Sequence, residues 1–125
     1  MTPRIMIVDD QEATRRLLRE ILAANAFEVV GEASNGDEAV LLFDVLRPDA
    51  ITMDLVMPKM NGLEAARAIL SQAPMTVIVP VSGLAHPSVQ AASFDVGMKG
   101  FVAKPIDARE LLGELREALS LEDAQ

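Results

Sequence analysis

The stretch Ala50-Ile51-Thr52-Met53-Asp54-Leu55-Val56-Met57-Pro58 decides how the rest of the chain is read. An apolar run of strand type stops on one carboxylate, and a proline-bearing segment that cannot continue as helix follows it. Such a pattern puts Asp54 at the carboxyl end of a strand, facing out from a sheet edge, where open α/β folds carry their chemistry. A carboxylate there can ligate a metal, act as a nucleophile or cap a helix.

Upstream, Arg4 to Val8 is a continuous apolar run, the mark of a strand buried on both faces, and it ends in the pair Asp9-Asp10. From Gln11 to Asn25 the residues Ala13, Leu17, Leu18, Ile21 and Leu22 recur at helical spacing, with Arg15, Arg16 and Arg19 read as the solvated side. Glu28 to Ala33 is a second strand. Asn35 with Glu38 three residues on predicts a reciprocal helix cap, and Asn61 with Glu64 and Asp107 with Glu110 repeat it.

Downstream, the helix opened by Asn61 runs to about Gln72. Thr76 to Val81 is a fourth strand that ends in Ser82-Gly83, and Pro87 suits the first turn of the next helix, to about Val96. Gly100 to Ala103 is a short fifth strand ending in Lys104-Pro105, and Leu111, Leu112, Leu115 and Leu119 stripe the last helix. Strands and helices thus alternate, which predicts an α/β fold: one doubly wound parallel sheet of five strands with helices on both faces and right-handed crossovers.

In a parallel sheet all carboxyl ends share one edge. Asp9, Asp10, Asp54, Ser82 and Lys104 therefore converge, although nearly the whole chain separates them. Singly, each has an ordinary explanation: Asp10 a helix cap, Ser82 a loop hydroxyl, Lys104 a solvated charge. Jointly they form a cluster whose carboxylates repel unless a pKa rises or a cation binds. Oxygen donors without imidazole or thiolate favour Mg²⁺. A cation, an ammonium and an attacking carboxylate together outline a phosphoryl-transfer site.

Asp9-Asp10, Asp54 with Met57-Pro58-Lys59-Met60-Asn61-Gly62, Ser82 and Lys104-Pro105 resemble the signature of response-regulator receiver domains, above all the stand-alone chemotaxis type. The resemblance implies one receiver domain over 1–125, a flavodoxin-like sheet of order 2-1-3-4-5 and five helices. It implies that Asp54 accepts a phosphoryl group from a histidine kinase or phosphotransfer protein. Asp9, Asp10, Asp54 and the Val56 carbonyl would hold Mg²⁺, and Lys104 would pair with the phosphoryl group ahead of a cis bond to Pro105. Ser82 would move toward the phosphoryl oxygen and Phe101 would swing inward behind it. The face made by the fourth helix, fifth strand and fifth helix would then bind a downstream protein differently.

Four residues shade this expectation. Phe101 stands where the chemotaxis proteins typically carry tyrosine. Pro80 lies inside a central strand and predicts a bulge or broken pairing. Val56 offers no polar group to place an attacking water, which predicts slow loss of the phosphoryl group. Gly83 leaves access to Asp54 open.

Other classes fit less well. A net charge of −8 disfavours nucleic-acid binding by this domain alone. The absence of cysteine excludes disulfides and thiolate sites and suits a reducing cytoplasm. No apolar run approaches the roughly 18 residues of a membrane span, and a first strand starting by Ile5 leaves no room for a leader. No glycine-rich phosphate loop occurs. His86 reads as a loop or cap residue, and the methionines, Met53, Met57, Met60 and Met75 among them, as packing. A phosphohydrolase would want a second carboxylate where Val56 stands. The alternatives are a phosphorylation-independent interaction module, or a receiver excised from a larger DNA-binding or methylesterase regulator; the start at Met1 and the end soon after the last helix fit a stand-alone regulator.

Overall fold

Each apolar run becomes a strand and each amphipathic stretch a helix in the computed structural model, which describes residues 2–121. In chain order these are β1 (Arg4–Val8), α1 (Glu12–Ala23), β2 (Glu28–Ala33), α2 (Gly36–Leu46), β3 (Ala50–Met53), α3 (Gly62–Gln72), β4 (Val77–Ser82), α4 (Pro87–Val96), β5 (Val102–Ala103) and α5 (Ala108–Ala118). All strand pairs are parallel, in the order β2-β1-β3-β4-β5. Alternate side chains of β1 and β3 go to opposite faces. Met6, Val8, Ile51 and Met53 pack with Phe43, Ala65 and Ile69 of α2 and α3, while Ile5, Ile7 and Ala50 pack with Leu18 and Leu22 of α1 and Leu111 and Leu115 of α5. Among the described residues no helix is long and apolar enough to cross a membrane.

Pro80 does not bulge its strand. Met53 faces Pro80 in an unbroken β3–β4 register. The Ile78 and Ser82 carbonyls accept from Lys99 and Lys104 on the β5 side, so by alternation the nitrogen of Pro80 also faces β5. The β4–β5 ladder proper begins only at Val81, and the missing donor falls where that pairing is interrupted anyway. The one register shift among these pairs lies between Ile5 and Met6, against β2.

The caps divide. Asn61 and Glu64 form the full reciprocal box, at 3.0 and 3.1 Å. Asn35 accepts from the Glu38 N–H, but Glu38 reaches one residue further back, to the Ser34 N–H at 3.1 Å. Asp107 makes no side-chain cap, and the reciprocal half of the box is missing too: the Glu110 carboxylate accepts from the Ala103 N–H, and Glu114 one turn on accepts from Phe101, both at 3.4 Å. These two glutamates cover the outward donors of an edge strand. Strand five is accordingly shorter than the predicted Gly100 to Ala103. On α1 only Leu18 and Leu22 are fully buried; Leu17 and Ala13 are exposed, as is Met75, which fills no packing gap.

Candidate functional site

The ladder hydrogen bonds run one residue past the strands and carry the polar groups with them. The Asp9 N–H donates to Ala33 O at 3.0 Å, Asp54 to Val8 O at 2.9 Å, and Lys104 to Ser82 O at 2.9 Å. Asp9, Asp54, Ser82 and Lys104 are thereby fixed at four neighbouring strand ends. Asp9, Asp54 and Ser82 are buried, while Asp10 stands exposed at the mouth. Gly62 closes in from behind: a Cβ there would sit 2.1 Å from the Asp54 carbonyl oxygen, so only glycine lets α3 start this close.

Lys104 Nζ lies 2.9 Å from Asp9 Oδ2 and 3.6 Å from Asp54 Oδ2. Lys104 is thus the partner of the buried Asp9 Oδ2, at a charge-assisted contact distance. Asp9 Oδ1 accepts from the Gln11 N–H at 2.9 Å, and Asp54 Oδ1 from the Val56 N–H at 3.2 Å. One oxygen each from Asp9, Asp10 and Asp54 lie within 4.8 Å of one another.

Among the protein's own groups, burial first and the Asp9 charge second raise the Asp54 carboxyl from 3.8 to about 6, against the pull of Lys104 and the Val56 N–H. Burial opposes the charge on Lys104, but Asp9 and Asp54 overcome it and hold the ammonium above its ordinary value. Three carboxylates face one ammonium, so the cluster is under-neutralised. An excess of carboxylate over ammonium, a raised carboxyl and an all-oxygen donor set fit a hard divalent cation.

Above the cluster opens a cleft of about 490 Å³, lined by Asp10, Gln11, Asp54, Val56, Gly83, Leu84 and Lys104. Nothing lies within 4 Å of where a side chain on Gly83 would begin, and Val56 and Leu84 are exposed on the rim. Ser82 Oγ accepts from the Leu84 N–H at 3.1 Å, which leaves its own proton for another acceptor. Phe101 is already inside, in the core cluster with Ile78 and Met98, so an inward swing starts here from a ring that is buried. Lys104-Pro105 is a cis bond.

Asp10 caps nothing: Gln11 is the N-cap of α1. His86 caps α4, its Nδ1 accepting from the Ser88 N–H at 3.1 Å. Arg15 is not part of a solvated face. Its Nη1 donates to the Asp9 carbonyl at 2.8 Å and its Nε lies 3.4 Å from Glu32, which Arg19 also holds. The visible signal was Glu32, a half-buried charge near the end of β2 that arginines of α1 can reach.

The sequence pattern of the response regulator receiver domain matches residues 5–116. The chain is 35% identical to the chemotaxis protein CheY of Thermotoga maritima over 94% of its own length and 98% of the relative's. The response regulator domain of Thermotoga maritima CheB superposes with a TM-score of 0.90 at 33% identity, covering 98% of this chain and 100% of that one. CheY in the CheX-CheY-BeF3-Mg complex of Borrelia burgdorferi superposes with a TM-score of 0.89 at 27% identity, covering 91% and 87%. The chain belongs to the response regulator receiver family, and it is homologous to the chemotaxis protein CheY and to other response regulators.

Proposed function

We propose that this domain is a phosphorylation-controlled switch of a two-component system, with Asp54 as the phosphoryl acceptor. The carrying observation is that Asp9, Asp10, Asp54 and Lys104 meet at one strand edge beneath an open cleft, on a receiver fold.

An oxygen of ionised Asp54 attacks the phosphorus of a phosphohistidine on a kinase or phosphotransfer protein. The P–O bond forms as the P–N bond breaks, and the leaving imidazole nitrogen keeps the electron pair and takes up a proton. Asp9, Asp10, Asp54 and the Val56 carbonyl would hold Mg²⁺, which when bound supplies charge neutralisation at the phosphoryl oxygens. Lys104, between Asp9 and Asp54, is placed to exchange a carboxylate for a phosphoryl oxygen. Ser82 is placed to donate its free proton to a second oxygen while its Oγ accepts from Leu84. Val56 and Leu84 present no polar group to an attacking water.

The output surface in this reading is α4, β5 and α5. Phe94 stands exposed on α4, and Lys104 joins the site to β5 directly. The likeness to the receiver of CheB is compatible with a second arrangement, in which the same chemistry controls the output of a larger regulator. We place the domain in the cytoplasm, with neither nucleic-acid binding of its own nor membrane insertion, in keeping with its acidic charge and its lack of cysteine.

Reductive trapping tests the assignment. Borohydride converts an aspartyl phosphate to homoserine, and peptide mapping after acetyl phosphate treatment should find that conversion at position 54. Conversion at another carboxylate would refute it.

A further inference from the structure

We propose that Arg15 is a positioning residue: clamped by Glu32, it fixes the peptide between Asp9 and Asp10 and thereby preorganises the acidic cluster for its cation. This rests on the reading of that cluster as a divalent-cation site.

Asp9 is buried and held at its N–H by Ala33 and at Oδ1 by Gln11. Asp10 is exposed, and the peptide that joins the two sets the position of its Cα, from which its carboxylate reaches the cluster. Among the described residues, the side chain that fixes that peptide is Arg15, whose Nη1 donates to the Asp9 carbonyl at 2.8 Å. Arg15 is itself fixed. Its Nε lies 3.4 Å from Glu32 Oε1, Arg19 holds Glu32 Oε2, and Glu32 sits on β2 in register with Ile7 of β1. The Arg15 side chain is only 18% exposed, so the clamp is not a loose surface pair. A guanidinium suits the task because its fork serves a carbonyl and a carboxylate at once, which an ammonium does not do at these two positions.

Charge and position make opposite predictions. Arg15 is a cation beside a cation site, so by Coulomb's law alone its removal should tighten Mg²⁺ binding. If Arg15 positions the ligands, its removal should weaken binding, as loss of groups that orient metal ligands does.

The experiment is calorimetric titration of Mg²⁺ into the wild type, Arg15→Met and Arg15→Lys at physiological ionic strength, with circular dichroism melts as the control for folding. The expected result is about tenfold weaker binding in Arg15→Met, with Arg15→Lys also weaker than the wild type. Binding in Arg15→Met equal to or tighter than the wild type overturns the proposal. If Arg15→Met does not fold, Arg15→Lys decides: it keeps the charge but not both contacts, so unchanged affinity overturns the proposal and weakened affinity supports it. Failure of the wild type itself to bind Mg²⁺ would instead refute the underlying site.

Discussion

Asp54→Asn should make the metal-free protein more stable at neutral pH. The Asp54 carboxyl is 4% exposed and titrates near 6 in the folded chain against 3.8 as a free side chain. Between those values the folded state keeps a proton that the unfolded state has released, so stability falls as pH rises through the window. At about 1.4 kcal/mol per pH unit the loss comes to about 3 kcal/mol by pH 7. Asparagine mimics the protonated carboxyl and escapes that loss, while Lys104 keeps its contact with Asp9. For a domain of this size the difference corresponds to about 10 °C in melting temperature. The chain has no Trp or Tyr, so far-ultraviolet circular dichroism is the assay. Melts of both proteins at pH 4 and pH 7 should show a gap that is small at the lower pH and large at the higher. Millimolar Mg²⁺ should narrow the gap at pH 7 by stabilising the wild type. A gap independent of pH, or a less stable Asp54→Asn at pH 7, would refute the burial and repulsion reasoning.

Three further predictions follow from named contacts. Val56→Asn places an amide on the cleft rim where a water could be oriented, and it should shorten the phosphoryl lifetime; an unchanged or longer lifetime in a decay assay counts against the role given to Val56. Gly62→Ala drives a methyl to 2.1 Å from the Asp54 carbonyl oxygen and should cost at least about 3 kcal/mol in urea unfolding, where a cost below about 1 kcal/mol would mean α3 can back away freely. Pro80→Val should lower stability by about 1–3 kcal/mol in urea unfolding, because it restores a buried donor that faces a gap in the β4–β5 pairing; an unchanged or raised stability would show that the restored N–H finds a partner there.

The alternation of strands and helices was legible because each strand is a short apolar run punctuated by a polar residue at its carboxyl end. That punctuation also marked Asp9, Asp10, Asp54, Ser82 and Lys104. A parallel sheet puts them on one edge; what makes their strands neighbours is the order β2-β1-β3-β4-β5, which local patterning does not contain and which comes from the family resemblance. Two side chains leave their expected places for partners outside their own helix. Glu110 abandons the cap of α5 for the N–H of Ala103, and Arg15 leaves the solvent face of α1 for Asp9 and Glu32. Pro80 looked disruptive because alternation alone does not say which neighbour its nitrogen faces. Leu17 fits the helical stripe of α1 by spacing, yet it sits at the margin of the buried arc and stays exposed.

The central claim is that the carboxylates at one strand edge make Asp54 a cation-dependent phosphoryl acceptor. Intact-protein mass spectrometry after incubation with acetyl phosphate, with and without Mg²⁺ and beside Asp54→Asn, tests it most directly. The account predicts a single phosphoryl adduct on the wild type that requires Mg²⁺ and is absent from Asp54→Asn. No adduct on the folded wild type, or one that persists without Mg²⁺ or without Asp54, would contradict it.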